Sequence, residues 1–342
     1  MSDVGFLVWK LANIPQDPKQ MLTICNRYGI KRLVFKVLDG RWKYNVKDNN
    51  DKPLLNYFDV LRTGGIIVEA WGYHYPDNPG AQGDAIEERR QKLGFSTYHL
   101  NAEAEWQKPF GMPRAAKTMI EKPKVNNFEM LLCSYREPSS HPAFPFSAFL
   151  NHPTMDGSSP QVYWALKHNP VKQLNDCLFE YKLWNKPVIP MGPTFGSNFT
   201  IEGKSYYWEP TVDDLVAFRE ACKIEGMERI YYYSLDWPLT HNRFDMIAAA
   251  TGYDFGEEDE PTPPPVETPK VFVVSKCKWL NVRSQPTSSV DNRLVVVRAG
   301  RKVGNLKEEV GNWQRISLGY IEGWSDGNFL EESSDGNVLE EV

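Results

Sequence analysis

The sequence predicts a mixed α/β domain of eight strand–helix units closed into a (β/α)8 barrel, followed by a small all-β barrel. Three observations carry this reading. An acidic, proline-rich stretch, EEDEPTPPPVETP at residues 257–269, divides the 342-residue chain unevenly. Apolar, β-rich runs recur eight times before it. Short alternating runs bounded by Gly, Pro and Asn follow it.

The dividing stretch opens on Glu257, Glu258, Asp259 and Glu260, holds one isolated valine and has no aromatic residue. It cannot bury enough apolar surface to offset the entropy of ordering, so it reads as an extended linker. The expected organisation is therefore a barrel over 1–256, a linker over 257–269, a small β domain over 270–332 and an acidic tail over 333–342.

The eight runs begin at Gly5, Arg32, Gly65, Ser96, Phe128, Pro160, Lys186 and Arg229. Their spacing suits βα units, and alternation of strands with helices favours a parallel sheet. Helical stripes fill several gaps. Met21, Ile24, Cys25 and Tyr28 stop at Gly29, and Val171, Leu174, Leu178 and Tyr181 form a second stripe. Thr211 with Asp214 reads as a capping box ahead of Leu215, Phe218 and Cys222. Phe244, Ile247, Ala248 and Thr251 form the last stripe. The stretch between Ser134 and Pro160, rich in Pro, Ser and His, is expected to be a long loop on the active face.

Composition excludes several classes. A net charge of −5 argues against nonspecific nucleic-acid binding. Neither GxGxxG after the first strand nor GxxxxGK[ST] occurs, so nucleotide cofactors lose support. The five cysteines are scattered, with no CxxC pair or metal spacing, and read as reduced, mostly buried thiols; no metal and no cofactor are expected. The N-terminus lacks a basic n-region and a long apolar stretch, so no signal peptide is expected, and no run is long enough to span a membrane.

Chemistry in such a barrel belongs at the C-terminal ends of the strands. The fourth run, STYHLNAEAEW, is the sharpest signal there. Period-two alternation puts Asn101, Glu103 and Glu105 on one face, with Ala102 and Ala104 packing outward. Carboxylates on an inward face need solvent, a partner or a function. Two neighbouring carboxylates suit a general acid beside an ionised partner, as glycoside hydrolysis requires. The competing reading is a salt bridge to Lys10 or Lys36. Glu105, nearer the strand end, is the preferred acid with Glu103 ionised beside it; the other register makes Glu103 the acid and Asn101 its polar neighbour.

Asp236 closes the eighth run on a face shared with Ser234 and Tyr232, and is expected to orient water or substrate; the alternative is a helix cap. Glu69 could equally be a buried partner of Lys36, and His74 between two tyrosines a structural histidine. Trp71, Trp106, Trp164 and Trp237 are candidate sugar-stacking platforms, some of them necessarily core or rim.

Short motifs in the large domain resemble the glycoside hydrolase family 25 lysozymes. Trp71–Pro76, WGYHYP, is similar to that family's Gly-x-Tyr-His segment, and the fourth run to its Asp-x-Glu motif in either register. Tyr163-Trp164 is similar to its aromatic sixth strand and Leu235-Asp236 to its eighth-strand Asp, but the first strand lacks the family's Asp. The resemblance implies a TIM-barrel hydrolase with Glu103, Glu105 and Asp236 as catalytic candidates. It adds Asn101, Trp71, Tyr73, His74, Tyr163, Trp164 and Trp237 as substrate contacts. The small domain resembles bacterial SH3-like domains through LNVRSQP at 280–286, Ala299-Gly300 with Val303, GNWQRI at 311–316 and Gly323-Trp324. That resemblance implies wall binding through Trp313 and Trp324.

The leading expectation is a cell-wall glycan or peptidoglycan hydrolase of lysozyme or endolysin type. It would act at the wall after lysis or delivery, with the small domain holding it on polymer. The alternative is a noncatalytic barrel in a phage-tail or injection-type assembly, with proteins of that assembly as partners. A cytoplasmic enzyme on a soluble saccharide is the third reading.

Overall fold

The computed structural model describes residues 3–46, 50–108, 110–123, 127–201, 203–253, 271–274, 277, 279–283, 285–288, 293–298, 302–317 and 322–332. The chain divides into two compact units, Met1–Asp254 and Phe255–Val342. The linker at 257–269 and the tail at 333–342 lie outside the described residues, as do Ser284 and Ala299-Gly300 of the SH3-like motif.

The first unit is mixed α/β, built on a curled parallel sheet. Its eight main strands are β1 (Asp3–Val8), β2 (Arg32–Asp39), β3 (Ile67–His74), β4 (Thr97–Ala102), β5 (Glu129–Cys133), β6 (Gly157–Ser158), β7 (Met191–Pro193) and β8 (Arg229–Tyr233). They follow the order β6-β5-β4-β3-β2-β1-β8-β7. Isolated parallel bridges, Ser158 to Val188 and Gln161 to Met191, join the two ends of that path. The arrangement is that of a TIM-barrel-type domain.

Two strands are shorter than their sequence runs. The sixth run was expected from Pro160, but the ladder forms at Gly157–Ser158 and resumes only as bridges. The seventh is reduced to Met191–Pro193, because Pro187, Pro190 and Pro193 cannot donate to a ladder. The stretch from Ser134 to Pro160 is not all loop: it contains the short helix α5 (Phe146–Leu150).

The helices follow their sequence signals. Helix α1 (Pro18–Tyr28) is capped by Asp17 and stops at Gly29, whose φ of 66° suits a residue without Cβ. Helix α7 (Val212–Ile224) carries the full Thr211–Asp214 capping box. Helix α6 (Pro170–Tyr181) buries Leu174, Cys177 and Tyr181 and leaves Val171 of the expected stripe exposed, and α9 (Phe244–Thr251) buries Ile247 and Ala248 with Phe244 and Thr251 half-buried.

Inward residues stack in layers across the sheet. Arg32, Glu69, His99 and Tyr231 form a polar layer toward the N-terminal ends. Above it, Leu7, Val34, Trp71, Leu131, Ile189 and Met191 form an apolar plug with Tyr231. Gly5 makes room for the Tyr231 ring, which a Cβ there would approach to 2.6 Å.

The second unit is an antiparallel sheet of seven strands. Their spatial order is Arg293–Arg298, Trp279–Arg283, Glu322–Asp326, Trp313–Ser317, Lys302–Val310, Val271–Val274 and Leu330–Glu332. Its core joins Leu280, Val282, Val303, Ile316 and Leu330. Among the described residues no helix is long and apolar enough to cross a membrane.

Candidate active site

A cavity of about 320 Å³ opens above the apolar plug, at the C-terminal ends of the strands. Its polar groups are Lys36 from β2, Tyr73 from β3, Asn101 and Glu103 at the end of β4, and Gln161 and Tyr163 beyond β6. Trp9, Trp71 and Tyr233 supply aromatic walls. Phe195 packs edge-on against Tyr163 and Tyr233 at 5.3 and 5.8 Å and backs that wall. Larger surface pockets exist elsewhere. One of about 610 Å³, between the α4 (Met112–Ile120) and α5 region and Trp184, has no carboxylate in its lining. One of about 730 Å³ lies at the N-terminal ends of the strands, the face that carries stability rather than chemistry. Position and lining favour the smaller cavity.

Glu103 is the one carboxylate that lines this cavity. It is half-buried, and its Oε1 accepts from Gln161 Nε2 at 2.7 Å. The same amide nitrogen reaches Asn101 Oδ1 at 3.3 Å. Gln161, just beyond β6, thus clamps the end of β4 from two strands along the sheet. Burial and the Glu103 charge together push the neighbouring Cys133 thiol up to about 12 and the Tyr163 and Tyr233 phenols well above their ordinary range.

Glu105 sits differently from its sequence expectation. β4 ends at Ala102, and residues Ala104–Trp106 turn into a 3-10 helix. The alternation therefore holds for Asn101 and Glu103 but does not extend to Glu105. Glu105 accepts from the Tyr73 hydroxyl at 2.7 Å and does not line the cavity. Burial, that hydrogen bond and the nearby Glu103 charge all raise the Tyr73 pKa, so Tyr73 stays protonated.

The anticipated salt bridges take other forms. Lys36 pairs with Asp39 at 2.7 Å, and the Lys10 ammonium lies over the Trp9 ring. Glu69 pairs with Arg32 rather than with Lys36.

The remaining candidates separate into cavity, core and rim. Trp71 lines the cavity, and its indole N–H donates to Val8 O at 3.0 Å. Trp164 is fully buried against Phe218 and offers no ring face to a ligand, while the neighbouring Tyr163 lines the cavity. Trp106 is likewise buried, donating to His74 O. His74 is wholly buried between Gln82 and Tyr98, where burial pulls its pKa down to about 4; it is a structural group. Trp237 is half-buried outside the cavity, stacked on His241 at 4.3 Å. Trp313 and Trp324 are half-buried in the second unit.

Asp236 is also corrected. β8 ends at Tyr233, so Asp236 does not share a strand face with Ser234 and Tyr232 but begins helix α8 (Asp236–Thr240). Its oxygens accept from the backbone N–H of Trp9 and Lys10 at 2.7 and 2.6 Å. Burial raises its pKa, and those two donors oppose the rise. It fixes the end of β1 rather than facing the cavity. Asp236→Ala is expected to lower the unfolding free energy by about 2 kcal/mol by stripping both donors of their acceptor, as read by urea denaturation. Unchanged stability with lost cleavage would return Asp236 to a chemical role.

Sequence reasoning missed Gln161, Trp9, Cys133, Met191 and Tyr233 as cavity residues. Gln161 carried a usable signal, since it stands two residues before Tyr163. Among the described residues no cluster of His, Cys, Asp or Glu is placed to hold a metal ion.

No protein-family model matches the chain, and no curated protein is detectably similar in sequence. Solved structures share its fold. A GH18 chitinase from Pseudoalteromonas aurantia aligns with TM-score 0.54 and 9% identity over 73% of this chain and 99% of its own. The C-terminal domain of a putative chitinase from Desulfitobacterium hafniense aligns with TM-score 0.54 and 9% identity over 74% and 99%. The spore cortex-lytic enzyme SleL of Bacillus megaterium aligns with TM-score 0.50 and 10% identity over 72% and 73%. The likeness establishes a TIM-barrel fold of the kind glycoside hydrolases use. It leaves the family 25 resemblance resting on its short motifs.

Proposed function

We propose that the barrel hydrolyses a glycan built of N-acetylated amino sugars, with Glu103 as the general acid. The observation that carries this is the placement of one clamped, half-buried carboxylate in an aromatic-walled cavity at the strand ends. The fold shared with chitinases and a cortex-lytic enzyme supports the substrate class. Glu105, held on Tyr73, is not placed as the second carboxylate of a two-carboxylate mechanism. A substrate-assisted route needs only one. Glu103 gives its proton to the glycosidic oxygen while the neighbouring acetamido oxygen attacks the anomeric carbon and the leaving bond breaks. Glu103, now ionised, takes a proton from water as that water attacks the same carbon. The acetamide is restored and configuration is retained.

The finer reading is a wall-glycan hydrolase of lysozyme or endolysin type that acts at the cell wall. Its second unit would be an SH3-like module that holds polymer through Trp313 and Trp324. The noncatalytic alternative, a binding component of a phage-like assembly, is favoured by Asn101 where a second carboxylate could stand and by Leu7 and Trp9 at the end of β1. The deciding test incubates the full chain with purified peptidoglycan and with an N-acetylglucosamine polymer. New reducing ends are expected from at least one polymer. Binding without release of ends would move the protein to the noncatalytic reading.

A further inference from the structure

The two oxygens of Glu103 stand in different surroundings. Oε1 accepts from Gln161 Nε2 at 2.7 Å. Oε2 has no partner among the described residues, and it is not sealed from solvent in the cavity that Glu103 lines. The nearby hydroxyls are engaged elsewhere. Tyr73 donates to Glu105 at 2.7 Å, and the Tyr163 hydroxyl lies 3.6 Å from Met191 Sδ. Among the described residues Gln161 is thus the one donor to Glu103.

Both partners of this contact are anchored. The Gln161 amide nitrogen carries two hydrogens, and Asn101 Oδ1 at 3.3 Å is an acceptor for the second. The Gln161 backbone N–H donates to Ser134 O at 2.8 Å, and the residue bridges Tyr135 on one side and Met191 on the other. The Glu103 carbonyl accepts from Trp106 N at 3.0 Å, and Trp106 is wholly buried. The amide therefore meets one chosen oxygen of the carboxyl group rather than sampling both.

A protonated carboxyl group donates through one oxygen and keeps its better acceptor on the other. An N–H aimed at Oε1 favours the form whose proton sits on Oε2. We propose that Gln161 is a positioning residue: it selects Oε2 as the oxygen that carries the acid proton and so turns that proton toward the glycosidic oxygen. This rests on the reading of Glu103 as the general acid. The effect grows during the reaction. The Oε2–H bond breaks, the proton passes to the leaving oxygen, and Glu103 becomes ionised. The hydrogen bond from Gln161 then becomes charge-assisted and stronger. Its donor is already in place, so the bond favours the transition state over the ground state without reorganisation.

The test uses a series of aryl glycosides of an N-acetylglucosamine disaccharide whose phenol leaving groups differ in acidity. A weakly acidic phenol needs the proton to leave; a strongly acidic one leaves with little help. The wild-type rate is expected to vary little along the series. Gln161→Met is unbranched and similar in length but has no N–H. It is expected to lower kcat by about 10- to 100-fold on the least acidic phenol, with KM nearly constant. That loss is expected to shrink steadily as the phenol becomes more acidic. Gln161→Asn, which draws the amide back by one methylene, is expected to show the same dependence and serves where the Met variant melts early. In Glu103→Gln, adding Gln161→Met is expected to cause no further loss, because Gln161 acts through that carboxyl group. A loss equal along the whole series, no loss at all, or a full further loss in Glu103→Gln would overturn the positioning role and leave the hydrolase reading intact. A wild type that cleaves none of the glycosides would overturn both.

Discussion

Glu103→Gln is expected to lower glycan cleavage by about 10²- to 10⁴-fold, the usual cost of a lost general acid, with little change in melting temperature. The substitution preserves shape, and the new amide carbonyl can still accept from Gln161 Nε2, which now lies 2.7 Å from the carboxylate. No buried donor is left without a partner, so the loss falls on chemistry rather than on folding. Glu105→Gln should behave otherwise. The Tyr73 hydroxyl can donate to the Gln carbonyl as it does to the carboxylate, and Glu105 does not line the cavity. Its cleavage rate should fall by less than about ten-fold, well short of the loss of a general acid. The measurement is the initial rate of reducing-end release on one polymer, with a thermal melt of each variant. If Glu105→Gln stops cleavage and Glu103→Gln does not, the acid is Glu105, as position along the sequence alone had favoured. Equal activity in both variants would sink the carboxylate assignment.

That exchange of roles shows where the sequence was legible and where it stopped. Alternation read along the fourth run set Asn101, and Glu103 one residue past the end of β4, on the side that lines the cavity, since side-chain direction in a strand is a local property. Where the strand ends is not local. β5 pairs with β4 only as far as Asn101 opposite Cys133, and the chain past Ala102 turns into a 3-10 helix. Nothing in AEAEW announces that loss of partner. The same holds for Asp236, whose backbone donors come from 226 and 227 residues earlier in the chain. The eight runs and the helix stops were readable because period, caps and Gly29-type stops act over one or two turns. β6 and β7 were blurred by prolines that shorten the ladder without erasing the apolar run. Gln161 was hidden for another reason: a lone amide is as compatible with a structural partner as with a ligand, and only the closed layer of inward residues separates the two.

The largest stability effect is expected at Glu69, in the polar layer beneath the cavity. Its carboxylate is almost wholly buried, and it accepts from Arg32 at 2.7 Å and Tyr231 at 2.6 Å, with His99 Nε2 at 3.2 Å. Burial alone would raise its pKa, but the His99 hydrogen bond and charge, the Tyr231 hydroxyl and the Arg32 charge outweigh it and hold the group down to about 2. A folded pKa below the unfolded one means that the ionised group stabilises the fold at neutral pH. That contribution is full above the unfolded pKa of about 4.5 and is lost as pH falls toward 2. A shift of this size corresponds to about 3 kcal/mol. His74 acts in a higher window with the same sign: buried and neutral, with its pKa depressed from 6.5 to about 4, it contributes stability above pH 6.5 that is lost as pH falls through 4. Urea unfolding measured against pH should therefore show stability declining from pH 6.5 and falling further below 4.5. Glu69→Gln should cost about 3–5 kcal/mol at pH 7, because it leaves Arg32 facing a buried neutral amide with only the half-exposed Asp3 at 3.1 Å in compensation. It should also flatten the decline below pH 4.5 while leaving the His74 window in place. A Glu69→Gln protein within 1 kcal/mol of wild type at pH 7, by the same urea titration, would show that the layer is held by packing around Tyr231 and not by the buried charge.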